Sequence, residues 1–449
     1  MSAWARAAVI VVCLLLFAMV VHYGITQFKM QVARLRGEKV EEVKPAYQPP
    51  KQLIQMLAIT GVIAAMPAIM WRVYCEKTRL LGVVKPKDFN RHLLLFGPTG
   101  SGKTTTALKA IELSLKNGVS VTVIDWKGEY SNKVAGATII RKFNLLEPPD
   151  WSNVELHAMV VTDILRDVLD LTEPMCYALY EELSQMYEER VASFARLLEL
   201  VKARRGTMLA MKNYAEARIA EGLIRRLLPL VLDERRSAKN LKGSDRVVIY
   251  DLSELPTHQL RALYAEIILW RLYNEARRNG STLQLKKLII AEESQNYVRP
   301  RRPEHPPSIG ERIVNELRAY GYGCLLISPD PYQLPLHMSR DVAAVISIGY
   351  QALPEVILDV LTLYRYADIK KLVRAASRPR TYIYHDGRLH IRGIPKPYLG
   401  VIDLEASQTE EEVKPAEPSR GEVEVKAEAR PEPSGGAHHH LTPRPRILG

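Results

Sequence analysis

The chain has 449 residues, enough for more than one domain. Its net charge of +12 points to polyanions or membrane surfaces as partners. The four cysteines (Cys13, Cys75, Cys176 and Cys324) form no Cys-x-x-Cys pair, which excludes a disulfide framework and a cysteine zinc site. Plentiful Glu, Arg, Ile, Val and Tyr with scarce Asn and Gln give a thermophile-like composition.

From the N-terminus, Ala7 to Ile25 is almost wholly apolar and long enough to cross a bilayer. Leu53 to Trp71 is a second such run, with Pro67 as a kink point and Gly61, Ala64 and Ala65 as small packing surfaces. The first run, preceded by Arg6, also suits a cleaved signal peptide; the second stands in either case. Residues 1–80 therefore read as a membrane anchor with transmembrane helices at about 7–25 and 53–71.

The stretch "LLLFGPTGSGKTTTALKA" (93–110) follows. Leu93 to Phe96 read as a buried strand and Thr105 to Leu115 as a helix, with G-x-x-x-x-G-K-[ST] between them. Gly97, Gly100 and Gly102 let the backbone curl so that its N–H groups point inward, beside the positive end of the helix. Residues Gly97, Pro98, Thr99, Gly100, Ser101, Gly102, Lys103, Thr104 and Thr105 form the expected phosphate cradle. In it Lys103 reaches the β- and γ-phosphates of ATP and the Thr104 hydroxyl binds Mg²⁺.

Strands then alternate with helical pattern: "VSVTVID" (119–125), "DRVVIYDLSELP" (245–256), "KKLIIAEESQ" (286–295), "GCLLIS" (323–328) and "VAAVISIG" (342–349). The fold class is α/β, a RecA-like P-loop core with a mostly parallel sheet, over 81–162 and 237–404. Residues 163–236 hold amphipathic helical pattern without a strand and read as an all-α insertion domain. The segment 405–449, rich in Glu, Lys, Pro and Ser, reads as a disordered tail, and His438 to His440 within it as a solvated tract.

Hydrolysis needs a metal-holding carboxylate and a group that orients water, both at the C-terminal ends of the parallel strands. "LIIAEES" supplies two carboxylates there. Glu292 holds Mg²⁺ through water and Glu293 polarises the attacking water. An ATP site is cytoplasmic, and with two spans the N-terminus lies on the same side. The basic segment 26–52 then faces outward, against the positive-inside rule, while Arg72, Lys77 and Arg79 agree with a cytoplasmic exit.

"VIDWKGEYS" (123–131) resembles the Asp-x-Lys/His-Gly-Glu-Tyr segment of the HerA–FtsK superfamily of DNA-pumping ATPases. "YDLSELP" (250–256), "IIAEESQN" (289–296) and "NELRAYGYGCLLISPDPYQLP" (315–335) resemble further segments of that superfamily. With two spans and a helical insertion, the chain is similar to membrane-anchored type IV secretion coupling proteins and archaeal DNA-exchange motors. The resemblance implies a homo-oligomer, commonly a hexameric ring, that moves DNA through a central channel. It implies that Glu292 replaces the usual Asp, that Arg318 reaches the neighbouring subunit's ATP, and that Asp125 and Glu129 support the metal shell or Lys103. The family's glutamine sensor is replaced by Pro329, with Gln333 as the nearest substitute.

DNA binding of any sequence needs Lys and Arg facing phosphates. "KARRG" (202–206), Arg225, Arg226, Arg277, Arg278 and above all Arg299, Arg301 and Arg302 of the proline-stiffened loop after the Glu-Glu strand are the candidates. The reading is a cell-membrane ATPase with a cytoplasmic motor domain that translocates DNA across the envelope, beside a separate polytopic membrane channel protein. A protein-translocating or pilus-assembly ATPase shares every catalytic residue. A nucleotide-switched membrane scaffold rests on the missing glutamine.

Overall fold

Aliphatic and β-branched runs make the central strands, and their lack of polar residues marks them as covered on both faces. The computed structural model describes residues 51–300, 307–335, 342–350, 365–375 and 378–404, with isolated positions elsewhere. The apolar run at 7–24, Arg301, Arg302 and the tail 405–449 lie outside these residues.

The helix α1 (Lys51–Thr78) precedes β1 (Leu93–Phe96), α2 (Lys103–Lys116), β2 (Ser120–Asp125), β3 (Val134–Ala135) and β4 (Ala137–Ile140). Helices α3 (Val154–Leu169), α4 (Glu173–Glu188), α5 (Phe194–Ala210) and α6 (Tyr214–Glu234) follow, then β5 (Ser244–Asp251), α7 (His258–Arg278) and β6 (Thr282–Ala291). The chain continues as α8 (Ile309–Leu317), β7 (Tyr320–Ser328), β8 (Ala344–Tyr350), α9 (Tyr366–Ala375), β9 (Arg380–His385), β10 (Arg388–Arg392) and β11 (Ile402–Asp403).

Among the described residues, the main sheet runs β10-β9-β8-β1-β7-β6-β2-β5-β4. It is parallel from β8 to β4; only the β8–β9 and β9–β10 pairings are antiparallel. β7 lies between the phosphate-loop strand β1 and the Glu-Glu strand β6, in register Leu93↔Leu325 and Ile290↔Leu325. The turns that leave β1, β2 and β6 therefore open at one end of the sheet. Two apolar cores cover its faces. One holds Ile111 and Leu95 beneath α2. The other joins Ile289 and Leu326 of the sheet to Leu179, Leu197 and Leu227 of α4, α5 and α6. The helical segment after β4 thus shares its core with the sheet.

The expected second membrane span falls inside α1, with Pro67 within the helix. Among the described residues no helix is long and apolar enough to cross a membrane. The chain divides into units 1–407 and 408–449.

Candidate active site

The loop after β1 is shaped by close backbone approaches. A Cβ at Gly97 would lie 2.4 Å from Ser101 Oγ and 2.6 Å from the Ile348 carbonyl oxygen, so no other residue fits. Gly102 has φ +106° and leads into α2 with no side chain capping the helix N-terminus. The first amides of α2 therefore remain donors for an incoming anion. Ser101 Oγ is buried without a hydrogen-bond partner. Lys103 folds back, its Nζ donating to the carbonyls of Gly97 (2.7 Å) and Pro98 (3.0 Å). Burial lowers its pKa, and Lys127 adds to that, against the pull of Glu293, Glu292 and Glu129.

Facing the loop is the turn after β2. Asp125 is fully buried and organises it: Oδ1 accepts from the amides of Lys127 (3.3 Å), Gly128 (2.8 Å) and Glu129 (3.1 Å), and Oδ2 from Tyr130 (2.9 Å). That wrap turns Glu129 toward the loop, where its Oε2 accepts from Thr104 Oγ1 at 2.8 Å. Asp125 thus acts through the backbone of 126–130.

Glu292 and Glu293 leave β6 in different environments. Glu292 is buried, and its Oε2 accepts from the amides of Trp126 (3.1 Å) and Lys127 (3.3 Å). Burial, then the adjacent Asp125 and Glu129 carboxylates, push its pKa up. Glu293 adopts φ +46°, a left-handed conformation rare for a side-chain-bearing residue. Its Oε1 takes an ion pair from Lys127 Nζ at 2.5 Å and its Oε2 a hydrogen bond from Gln295 Nε2 at 2.6 Å. Burial opposes ionisation there, but Lys127 and Gln295 together hold the carboxyl below its ordinary value. One carboxyl thus leans toward the protonated form and its neighbour stays ionised.

A cavity of about 590 Å³ joins these parts, lined by the phosphate loop with Lys127, Glu129 and Glu292. Ile394, Pro395 and Pro397 close its other side. They belong to a strap that leaves β10, passes over the loop and pairs as β11 with β3, Ile402 donating to the Lys133 carbonyl at 2.9 Å. The uncapped helix, the lysine and the hydroxyl-carboxylate set fit ATP with Mg²⁺, Thr104 and Glu292 or Glu129 being the residues to hold the metal. Lys127 and the strap escaped the sequence reading. Lys127 stands in the Asp-x-Lys-Gly-Glu-Tyr segment and was legible there; the strap carried no motif.

The remaining candidates lie elsewhere. Arg318 is exposed just after α8, at the start of β7 and so at the end of the sheet away from the loop. Gln333 is exposed on the turn Pro331–Gln333 and is not part of the cavity lining. The Pro329 carbonyl accepts from Tyr350 Oη at 2.5 Å. Arg299 is exposed after the short helical turn Ser294–Asn296, donating to the Asn296 carbonyl at 2.6 Å. Arg204 pairs with Glu181 (2.6 Å), Glu182 (3.4 Å) and Glu216 (3.5 Å), and Arg205 with Glu221 (2.7 Å). These two arginines are engaged within the helical segment.

Residues 79–272 match the family model of the central domain of helicase HerA. No curated protein matches the sequence. Among solved structures, the fold is similar to VirB4 of Thermoanaerobacter pseudethanolicus (TM-score 0.53, 17% identity, 68% of this chain and 89% of that one). It is similar to the bacterial conjugative coupling protein TrwBdeltaN70 (TM-score 0.54, 12% identity, 73% of this chain and 91% of that one). It also resembles the plasmid coupling protein TrwB in complex with ADP and Mg²⁺ (TM-score 0.51, 12% identity, 72% of this chain and 91% of that one). The HerA central-domain match thus spans the phosphate loop, the turn after β2 and the helical segment, and the fold is similar to that of VirB4 and TrwB.

Proposed function

We propose that the protein is a membrane-anchored, ring-forming ATPase that couples ATP hydrolysis to DNA translocation across the cell envelope. The observation that carries this reading is the convergence of Lys103, Thr104, Lys127, Glu129, Glu292 and Glu293 around one cleft in a HerA-like core. On nucleotide binding, Lys103 leaves the Gly97 and Pro98 carbonyls for the phosphates. The amides at the start of α2 hold the phosphate oxygens, and Mg²⁺ offsets charge on them. Glu293, ionised and held by Lys127, orients water and accepts its proton. Arg318 serves a neighbouring subunit's cleft, since it stands away from its own. Gln333 belongs to coupling between the cleft and movement.

Membrane anchoring rests on the apolar run at 7–25 and on the exposed Met66, Ile69, Met70 and Val73 of α1. The proposed partners are DNA of any sequence, through Arg299, Arg301 and Arg302, and a separate polytopic channel protein. A protein-translocating ATPase is the second reading, and the pairing of Arg204 and Arg205 with carboxylates favours it by removing basic residues from a DNA grip. DNA-stimulated turnover by the full chain in detergent separates the two. A rise with DNA that fades with salt supports the DNA motor, and indifference to DNA at every salt concentration supports the protein-moving reading.

A further inference from the structure

A second cavity, of about 650 Å³, lies at the opposite end of the sheet from the phosphate loop. One wall is the last turns of α1 with the segment that follows; the other is the β9–β10 hairpin. The position follows from strand direction: β9 runs antiparallel to β8, so His385 at its end pairs with Ala344, where β8 begins. Arg72, Arg79, Lys85, Arg388 and Arg392 converge there from both walls. Glu76 and Asp386 are the carboxylates of the lining. Arg72 pairs with Glu76 at 3.0 Å and Asp386 with His385 at 3.2 Å. Among the described residues Arg79, Lys85, Arg388 and Arg392 have no carboxylate partner. The positive field is felt by His390 in the lining, whose pKa burial lowers first and Lys371, Arg392 and Arg388 lower further.

Five Lys and Arg side chains around a concave surface that carries two carboxylates leave an excess of positive charge, which an anion stabilises. The rim identifies which kind. Trp71 and Tyr74 are both 55% exposed and stack at 5.7 Å, and Arg79 lies over the Trp71 ring at 5.5 Å. Just N-terminal to them α1 exposes Met66, Ile69 and Met70. An apolar helix face, then an aromatic pair, then a cluster of cations is the order met on leaving a bilayer through its headgroups.

We infer that this cleft binds the phosphate of an anionic phospholipid headgroup, tying the β9–β10 hairpin to the membrane surface. The inference rests on the membrane-anchored reading for the source of the phosphate; the charge and shape of the cleft are independent of it.

The test uses the full chain in a neutral detergent, titrated with short-chain phosphatidylglycerol, phosphatidylcholine and inorganic phosphate and read by native mass spectrometry. Phosphatidylglycerol is expected to bind, phosphatidylcholine at least tenfold more weakly. Arg388→Gln with Arg392→Gln is expected to weaken phosphatidylglycerol at least tenfold while the affinity for an ATP analogue is unchanged. Arg72→Gln, on the other wall, is expected to act in the same direction. Unchanged phosphatidylglycerol affinity in both variants overturns the site. Inorganic phosphate displacing the lipid with a comparable dissociation constant keeps the phosphate site and overturns the lipid as its source. Displacement by a short DNA duplex at similar concentration overturns the lipid assignment in favour of nucleic acid. Alkaline carbonate extraction of membranes carrying the chain tests the anchor separately: release there fails the anchored reading and leaves the anion site standing.

Discussion

At the residue scale, the two adjacent glutamates are separated by what holds them. Glu292 is tied to backbone amides and pushed toward its protonated form, whereas Glu293 is held ionised by Lys127. Glu293→Gln is therefore expected to lower ATP turnover by about 10²–10⁴-fold, the usual weight of a general base, with nucleotide affinity retained. Lys127→Met is expected to lower turnover without the Km rise that Lys103→Ala produces, because it disorients Glu293 and leaves the phosphate cradle intact. Steady-state kinetics on the three variants check both expectations. A buried histidine adds a contribution to acid stability. His157 is buried and neutral: Trp270 Nε1–H donates to its Nδ1 at 2.9 Å, so Nε2 carries the proton and faces the Leu146 carbonyl at 3.3 Å. Burial lowers its pKa to about 4 from 6.5. The sign follows: this contribution is complete above about pH 6.5 and is lost as pH falls toward 4, by up to about 3 kcal/mol. Denaturant melts of His157→Phe should show a shallower loss of stability over that window than the native chain.

At the element scale, the long aliphatic runs and the glycine-rich loop were legible because their chemistry is local. "LLLF", "VSVTVID" and "GCLLIS" can only be buried strands in this context, and the loop needs Gly97 and Gly102 for backbone reasons that the motif already states. The β9–β10 hairpin was equally present in the sequence and passed over: Asp386-Gly387, both at positive φ, sits between alternating apolar positions. β3, β11 and the strap between β10 and β11 were not legible. A two-residue strand has no period, and the strap acts by position, laying Ile394, Pro395 and Pro397 against the cleft. The partnership of Lys127 with Glu293 depends on the pairing of β2 with β6, a contact across 166 positions that no local pattern contains. Ile394→Asp is expected to raise the Km for ATP about tenfold, on the order of 1.4 kcal/mol, while leaving the fold intact because Ile394 is 46% exposed. An unchanged Km would remove the strap from the binding site.

At the scale of the whole molecule, the sheet has two working ends. The turns after β1, β2 and β6 gather the nucleotide cleft at one, and α1 with the β9–β10 hairpin gathers a basic cleft at the other. The helical segment between β4 and β5 packs into the same core as the sheet. Turnover in the first cleft is proposed to move DNA. The most direct test is the ATPase rate of the full chain in detergent with and without double- and single-stranded DNA over a salt series, beside Glu293→Gln. DNA is expected to raise the rate, the rise to fade as salt increases, and the variant to show no turnover above background. A native rate indifferent to both kinds of DNA at every salt concentration would contradict the proposed DNA motor.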